Sequence, residues 1–301
     1  MRLAVAATPT VALPTLEALL RSEHVLALVI TQPDRPAGRG KVLRSTPVAD
    51  WAEKNAIPVE KPDSAAEFHK LLRDIDCVIT IGYGVLLPLD VLEIPRYGFL
   101  NLHFSILPAW RGAAPVQRSI EAGDSFTGVT TFKLDEGMDT GPIFNSMRFA
   151  LDSDITSDQL FEELSHLGVE SVLEALAQIE KGVKPTPQPS VGASRARKLS
   201  KEEGKISWNE SAEVIDRKIR AFTSNPGAWT NFRGNPIKIA TPRMSDLSLK
   251  PGEILFENRA LFVGTGTTAL EIREVTPSGK PTMAVAAWVN GARLGEGERF
   301  E

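Results

Sequence analysis

Cys77-Val78-Ile79-Thr80-Ile81, and after a short interval Gly98-Phe99-Leu100-Asn101-Leu102-His103, are the runs whose reading decides the fold. Each is short, almost wholly apolar and bounded by turn-forming residues. A run of this kind reads as a strand covered on both faces, as in a parallel sheet. The chain upstream supports that reading. Leu3–Ala7 and Val25–Ile30 are further apolar strands, and Ile57-Pro58-Val59 is a shorter one. Between them, Leu13, Leu16, Leu19 and Leu20 follow helical spacing. Pro47–Asn55 reads as a helix with proline at its start, and Ala65–Arg73 as another. Strand and helix alternate, so the expectation is a Rossmann-like α/β domain built on a mainly parallel sheet.

Downstream of His103 the pattern changes. Thr127–Leu134 and Ile143–Ala150 are strand-like, with a glycine-rich turn around Gly137 and Gly141 between them. Thr156 to Ile179 predicts a long helix. Thr156 and Gln159 form a candidate capping box, and Leu160, Leu164 and Leu167 a buried stripe. Pro185, Pro187, Pro189 and Gly192 then interrupt regular structure. The expected division is a catalytic-type domain over 1–182, a linker over 183–204 and a smaller β-barrel over 205–301. That last part carries one helix, with Ile215, Ile219 and Phe222 on a face. Short strands follow at Ala228–Phe232, Ile237–Ala240, Glu253–Phe256, Ala260–Val263 and Ala269–Val275.

The chain has 301 residues, enough for two domains, and a formal net charge of −4. A protein that coats nucleic acid is usually basic, so any RNA contact here must come from a local patch. Two stretches qualify. One is the loop Gln32–Lys41, which carries Arg35, Arg39 and Lys41. The other is Arg195–Lys205, with five basic residues against two acidic ones. The loop could close over an anionic substrate or simply be solvated. It lacks the spacing of a phosphate loop, and Ala6-Ala7-Thr8-Pro9 lacks the glycine pattern of a dinucleotide site. A single cysteine, Cys77, permits no intrachain disulfide and reads as a small buried apolar residue. The first apolar run is too short for a signal peptide core, and no run approaches a membrane span. These features predict a cytoplasmic protein with no membrane association. The four histidines are scattered, so no metal is expected.

In a parallel sheet, ligands gather beyond the carboxyl ends of the strands. Asn101 and His103 sit at such an end, and period-two alternation puts them on one face. The acidic loop Leu134–Pro142 could add a carboxylate. An amide and an imidazolium can stabilise the oxyanion formed when an amine attacks a formyl carbon. A carboxylate can keep the imidazole protonated and take up the amine's proton. The plainer reading remains open at this point: a histidine at a strand end and an aspartate in a glycine-rich loop are usually only satisfied polar residues.

The block Asn101-Leu102-His103, followed by Ser105-Ile106-Leu107-Pro108 and Gly112-Ala113-Ala114-Pro115, resembles the signature of folate-dependent formyltransferases. Asp139-Thr140-Gly141 resembles their second motif. The loop Thr31–Lys41, the segment Trp110–Gln117 and Lys198-Leu199-Ser200-Lys201 before Ile206-Ser207-Trp208 resemble the methionyl-tRNA formyltransferase family over nearly the whole chain. The resemblance implies catalytic roles for Asn101, His103 and Asp139. It implies 10-formyltetrahydrofolate as formyl donor, with no metal, and initiator methionyl-tRNA as partner. It also implies substrate contacts from Ser105, Leu107 and Pro108. Tyr83, Gly84 and Leu87 would border the folate pocket. Arg35, Arg39 and Lys41 would face tRNA, with Arg39 sensing the acceptor end. The C-terminal part would be an OB-like tRNA-binding barrel, and the protein a monomer. The alternative is a folate-dependent formyltransferase for an amino sugar or other small amine; a non-catalytic binding protein on this fold would be expected to lack one of the three polar residues. Phe104 departs from the family, which usually has glycine after the histidine, and places a bulky ring beside His103.

Overall fold

A computed structural model describes residues 1–37, 42–295 and 297–301. The chain divides into two compact units. The first comprises 1–115, 126–150 and 161–196, the second 116–125, 151–160 and 197–301.

The first unit is a seven-stranded sheet. From one edge its strands are Ile143–Ala150, Phe126–Lys133, Phe99–His103, Cys77–Ile81, Arg2–Ala7, Val25–Ile30 and Val59–Glu60. The last five run parallel, and the first two are antiparallel to their neighbours. The central strands are buried on both faces: Leu3 to Ala7 and Cys77 to Ile79 are all fully covered. That explains their continuous apolar runs in place of alternation. One core cluster gathers Ala4, Ala6, Ile30, Val78 and Phe99 with Phe68 of the neighbouring helix Ala65–Leu71 and Leu72, which caps that helix. Removing such side chains from water is worth roughly 1.5–3 kcal/mol each. The helix Pro47–Lys54 starts where its proline requires, and Thr46 Oγ1 caps it by accepting the amide of Ala49.

The long helix is Ser157–Glu180. The capping box forms as expected: Gln159 Oε1 accepts the amide of Thr156 at 3.0 Å, and Thr156 Oγ1 accepts that of Gln159 at 3.4 Å. Residues 183–196 are irregular, as three prolines demand, yet they are tied to the sheet. Thr186 pairs with Ile143, and Arg195–Ala196 forms a two-residue parallel ladder with Arg111–Gly112.

The second unit holds the helix Ala212–Ala221, with Ile215, Ile219 and Phe222 buried, and a six-stranded, largely antiparallel sheet. Phe300 bridges Phe232 at one edge, and Arg299 bridges Glu253 beside the other. The two edges are thereby joined, which curls the sheet into a small barrel and removes its open edges. Trp208 stacks on Phe300 at 5.7 Å inside it, and Trp288 meets Phe232 edge-on at 5.0 Å.

Candidate active site

The carboxyl edge of the parallel strands carries the polar constellation. Asn101 and His103 leave the strand Phe99–His103 on one face. Thr80 lies directly across from Asn101 in the parallel register, and its hydroxyl is shared between Asn101 Oδ1 at 2.8 Å and the Leu100 carbonyl oxygen at 3.0 Å. With the carbonyl end of the amide held by Thr80, its NH2 end is turned away from that strand as a donor.

His103 is buried, with its ring edge-on to Phe132. Its Nε2 lies 2.9 Å from the carbonyl oxygen of Trp110. A carbonyl can only accept, so the neutral ring carries its proton on Nε2. Nδ1 then faces Asp139 Oδ2 at 3.7 Å. Burial pushes the His103 pKa below its ordinary value; Asp139 and the Trp110 carbonyl pull it back up only in part. Desolvation of the covered ring opposes its charged form more than the carboxylate, which stands beyond hydrogen-bond reach, favours it.

Asp139 arrives from the glycine-rich turn with a left-handed φ of 56°, and its Oδ2 accepts the amide of Gly112 at 2.7 Å. Gly112 itself has φ 122°, and a Cβ there would meet the carbonyl oxygen of Ala196 at 2.6 Å. Only glycine lets the two chains approach this closely. The structure thus brings Asn101, His103 and Asp139 to one place.

Ser105 and Leu107 are buried in the turn after His103. Ser105 Oγ donates to the carbonyl of Ala109 at 2.6 Å. Thr130 Oγ1 ties the turn to the next strand, donating to the Ser105 carbonyl and accepting the Leu107 amide. Pro108 is half-buried, and its carbonyl accepts the amide of Ser194. These side chains shape the turn. Phe104 points to the opposite face from His103 and packs edge-on against Phe161 at 6.0 Å.

Tyr83 and Gly84 border a cavity of about 270 Å³ together with Thr8, Gln32, Arg35 and Arg44. The Tyr83 ring is buried against Phe68, and burial pushes its hydroxyl up to a pKa of about 12, so it stays neutral. Gly84 has φ 77° and open space where a side chain would project. Leu87 packs partly buried on the same core cluster as Tyr83. Arg35 and Arg44 face each other across the short hairpin Arg35–Ala37 and Val42–Arg44. Both arginines are exposed, and Arg35 Nη2 donates to Gln32 Oε1 at 3.0 Å. Arg39 and Lys41 lie outside the described residues.

Sequence reasoning missed Thr80, Gly112 as an amide donor, and Gln188, which reaches the carbonyls of the Asp139 turn. Thr80 had one available signal: it is the one hydroxyl residue in the otherwise apolar strand Cys77–Ile81. Among the described residues one group of metal-type side chains converges, Glu23, His24 and Glu180, within 4.8 Å of one another. It lies at the amino ends of the strands, away from this site. No helix among the described residues is long and apolar enough to cross a membrane.

The sequence profile of the formyl transferase family matches residues 1–176, and that of the formyl transferase C-terminal domain matches 198–293. A methionyl-tRNA formyltransferase of Thermobifida fusca is 44% identical over 307 residues, covering 100% of this chain and 99% of that one. HypX from Aquifex aeolicus, solved in complex with tetrahydrofolic acid, shares the fold with a TM-score of 0.71. It is 21% identical, and the match covers 98% of this chain and 47% of that one. The N-formyltransferase of Helicobacter canadensis, solved with folinic acid and dTDP-3-aminofucose, has a TM-score of 0.68. It is 18% identical over 90% of this chain and 97% of that one.

Proposed function

This chain belongs to the formyl transferase family, among the methionyl-tRNA formyltransferases, and on that premise we propose that it moves the formyl group of 10-formyltetrahydrofolate to the α-amino group of methionyl-initiator-tRNA. The observation that carries the reading is the convergence of Asn101, His103 and Asp139 at the carboxyl edge of the sheet. The full-length identity to the tRNA enzyme favours tRNA over an amino sugar, since the likeness to the sugar enzyme is one of fold.

In this reading the methionine nitrogen attacks the formyl carbon, a C–N bond forms, and the bond to N10 of the folate breaks. The amine loses a proton and N10 gains one. Asn101 donates its amide N–H to the developing oxyanion. Asp139 takes the amine proton, directly or by way of His103 Nδ1. Protonated there, His103 carries a positive charge near the developing oxyanion before the proton passes to N10. No side chain acts as nucleophile, because the substrate amine already is one.

The cavity beside Tyr83 and Gly84 would border the folate, and its arginines, with Arg39 and Lys41, would meet the acceptor end of the tRNA. Arg195, Arg197, Lys198, Lys201 and Lys205 are exposed and suit phosphate contact. Residues 1–182 would be the catalytic domain, 183–204 the linker and 205–301 the tRNA-binding barrel, in a monomeric cytoplasmic enzyme. Ser105, Leu107 and Pro108 would act through the turn they shape.

The test is transfer of labelled formyl from 10-formyltetrahydrofolate to initiator methionyl-tRNA, with His103→Ala beside the wild type. A loss on the order of 10²–10⁴-fold is expected in the variant. A folded wild type that formylates an aminosugar nucleotide but not the tRNA would overturn the choice of acceptor.

A further inference from the structure

Gln188 lies 49 residues beyond Asp139, in the proline-rich stretch. Its Nε2 donates to the carbonyls of Asp139 at 2.9 Å and Gly141 at 2.8 Å. Its Oε1 accepts from Arg111 Nε at 3.1 Å and Nη2 at 2.5 Å. Every partner fixes the amide the same way round. Carbonyls cannot donate and a guanidinium cannot accept, so the NH2 end must face the turn and the oxygen must face Arg111.

The turn needs such a clamp. Asp139 holds a left-handed backbone with φ 56°, a conformation that costs aspartate more than it costs glycine. Gly141 is pressed so closely on the Lys133 carbonyl that a Cβ there would lie 1.8 Å from it. The far side of the turn is pinned by Asp135, whose Oδ1 accepts the Gly137 amide and the Thr140 hydroxyl. Gln188 pins the near side. Its own backbone is anchored two residues upstream, where Thr186 exchanges both backbone hydrogen bonds with Ile143 at 2.7 and 2.8 Å. Arg111, which holds the amide oxygen, immediately precedes the Gly112 amide that holds the Asp139 carboxylate. One side chain therefore ties together the two segments whose separation sets the distance from Asp139 to His103.

We propose that Gln188 is a positioning residue for formyl transfer, holding the Asp139 turn against the Arg111–Gly112 segment so that the carboxylate stays at His103. The proposal rests on the catalytic reading of Asp139 and His103 above. Gln188 touches neither substrate nor reacting atoms in this account; it acts through Asp139. Glutamate cannot replace it, since a carboxylate would keep Arg111 but set an acceptor against two carbonyls. Alanine removes every contact.

The experiment measures kcat and KM for both substrates, with thermal melting, in Gln188→Ala, Gln188→Glu, Asp139→Asn, His103→Ala and the double variant Asp139→Asn with Gln188→Ala. Both Gln188 variants are expected to lose kcat by on the order of 10- to 100-fold, the scale for a misplaced catalytic group, with KM within about twofold. The double variant should be no slower than Asp139→Asn alone, because a residue acting through Asp139 has nothing left to position. A residue that merely stabilises the unit would lower melting and add its loss in the double variant. If Asp139→Asn and His103→Ala collapse turnover while Gln188→Glu, folded, keeps wild-type kcat, the role of Gln188 is overturned and the reaction stands. If Asp139→Asn keeps wild-type turnover, the catalytic reading fails first.

Discussion

Thr80 and Asn101, on neighbouring parallel strands, are joined by a 2.8 Å hydrogen bond in which the threonine hydroxyl donates to the amide oxygen. The same hydroxyl also reaches the Leu100 carbonyl at 3.0 Å, and it places the amide oxygen of Asn101 towards Thr80 with the NH2 end away from it. Thr80→Val keeps the shape and removes the donor. Formyl transfer should fall by roughly tenfold, a loss of one oriented donor's precision, while stability changes by about 1–2 kcal/mol. Unchanged kcat in a folded Thr80→Val would mean that the amide holds its orientation without the hydroxyl.

His103 is buried, and that burial holds its pKa below the ordinary value of 6.5. The unfolded chain therefore binds a proton on this ring at pH values where the folded chain does not. Stability from this group is complete above about pH 6.5 and falls as the pH drops from there towards the folded pKa. Urea midpoints at pH 7.5 and 5.5 should differ more for the wild type than for His103→Gln. Equal differences would show that the ring's burial has no net titration cost.

Phe104 is 7% exposed and packs on Phe161. Restoring the family's usual glycine would empty that contact. Phe104→Gly should lose about 3–5 kcal/mol of stability, the scale of a large core truncation. It should not raise kcat, because the ring lies on the face opposite His103. A faster variant of undiminished stability would place the ring in the substrate's path.

Arg35 and Arg44 both line the cavity beside Tyr83 and Gly84. If they contact phosphates, Arg35→Ala with Arg44→Ala should raise the KM for tRNA and leave that for folate nearly unchanged. The dependence of tRNA affinity on the logarithm of salt concentration should flatten by about 2, one for each contact. An unaltered salt slope would exclude them from the tRNA surface.

Much of this fold is legible in the chain itself. Val25–Ile30, Cys77–Ile81, Ile143–Ala150 and Ala260–Val263 end as strands where the sequence reading ends them. Each run except Ile143–Ala150, which Leu151 follows, is bounded on both sides by turn or polar residues. The Thr156–Gln159 box marks its helix for the same local reason. Elements whose signal was ambiguous escaped. Val285–Ala292 is a helix written as a short apolar run, which periodicity cannot separate from a strand. Pro115–Ala122 is a helix hidden inside a segment that reads as a site motif.

The sequence by itself determined the alternation that builds a parallel sheet, the edge at which a site must lie and the residues that chemistry would need there, because period, capping and strand ends are local properties of the chain. Only the tertiary structure decided the rest. The charge state of His103 depends on how completely other segments cover it. The orientation of Asn101 depends on a register with Thr80, and the placement of Asp139 on Gly112 and on Gln188, 49 residues downstream. These are contacts between segments far apart in the chain, and no local pattern encodes which of many polar side chains the folded backbone brings within 3 Å.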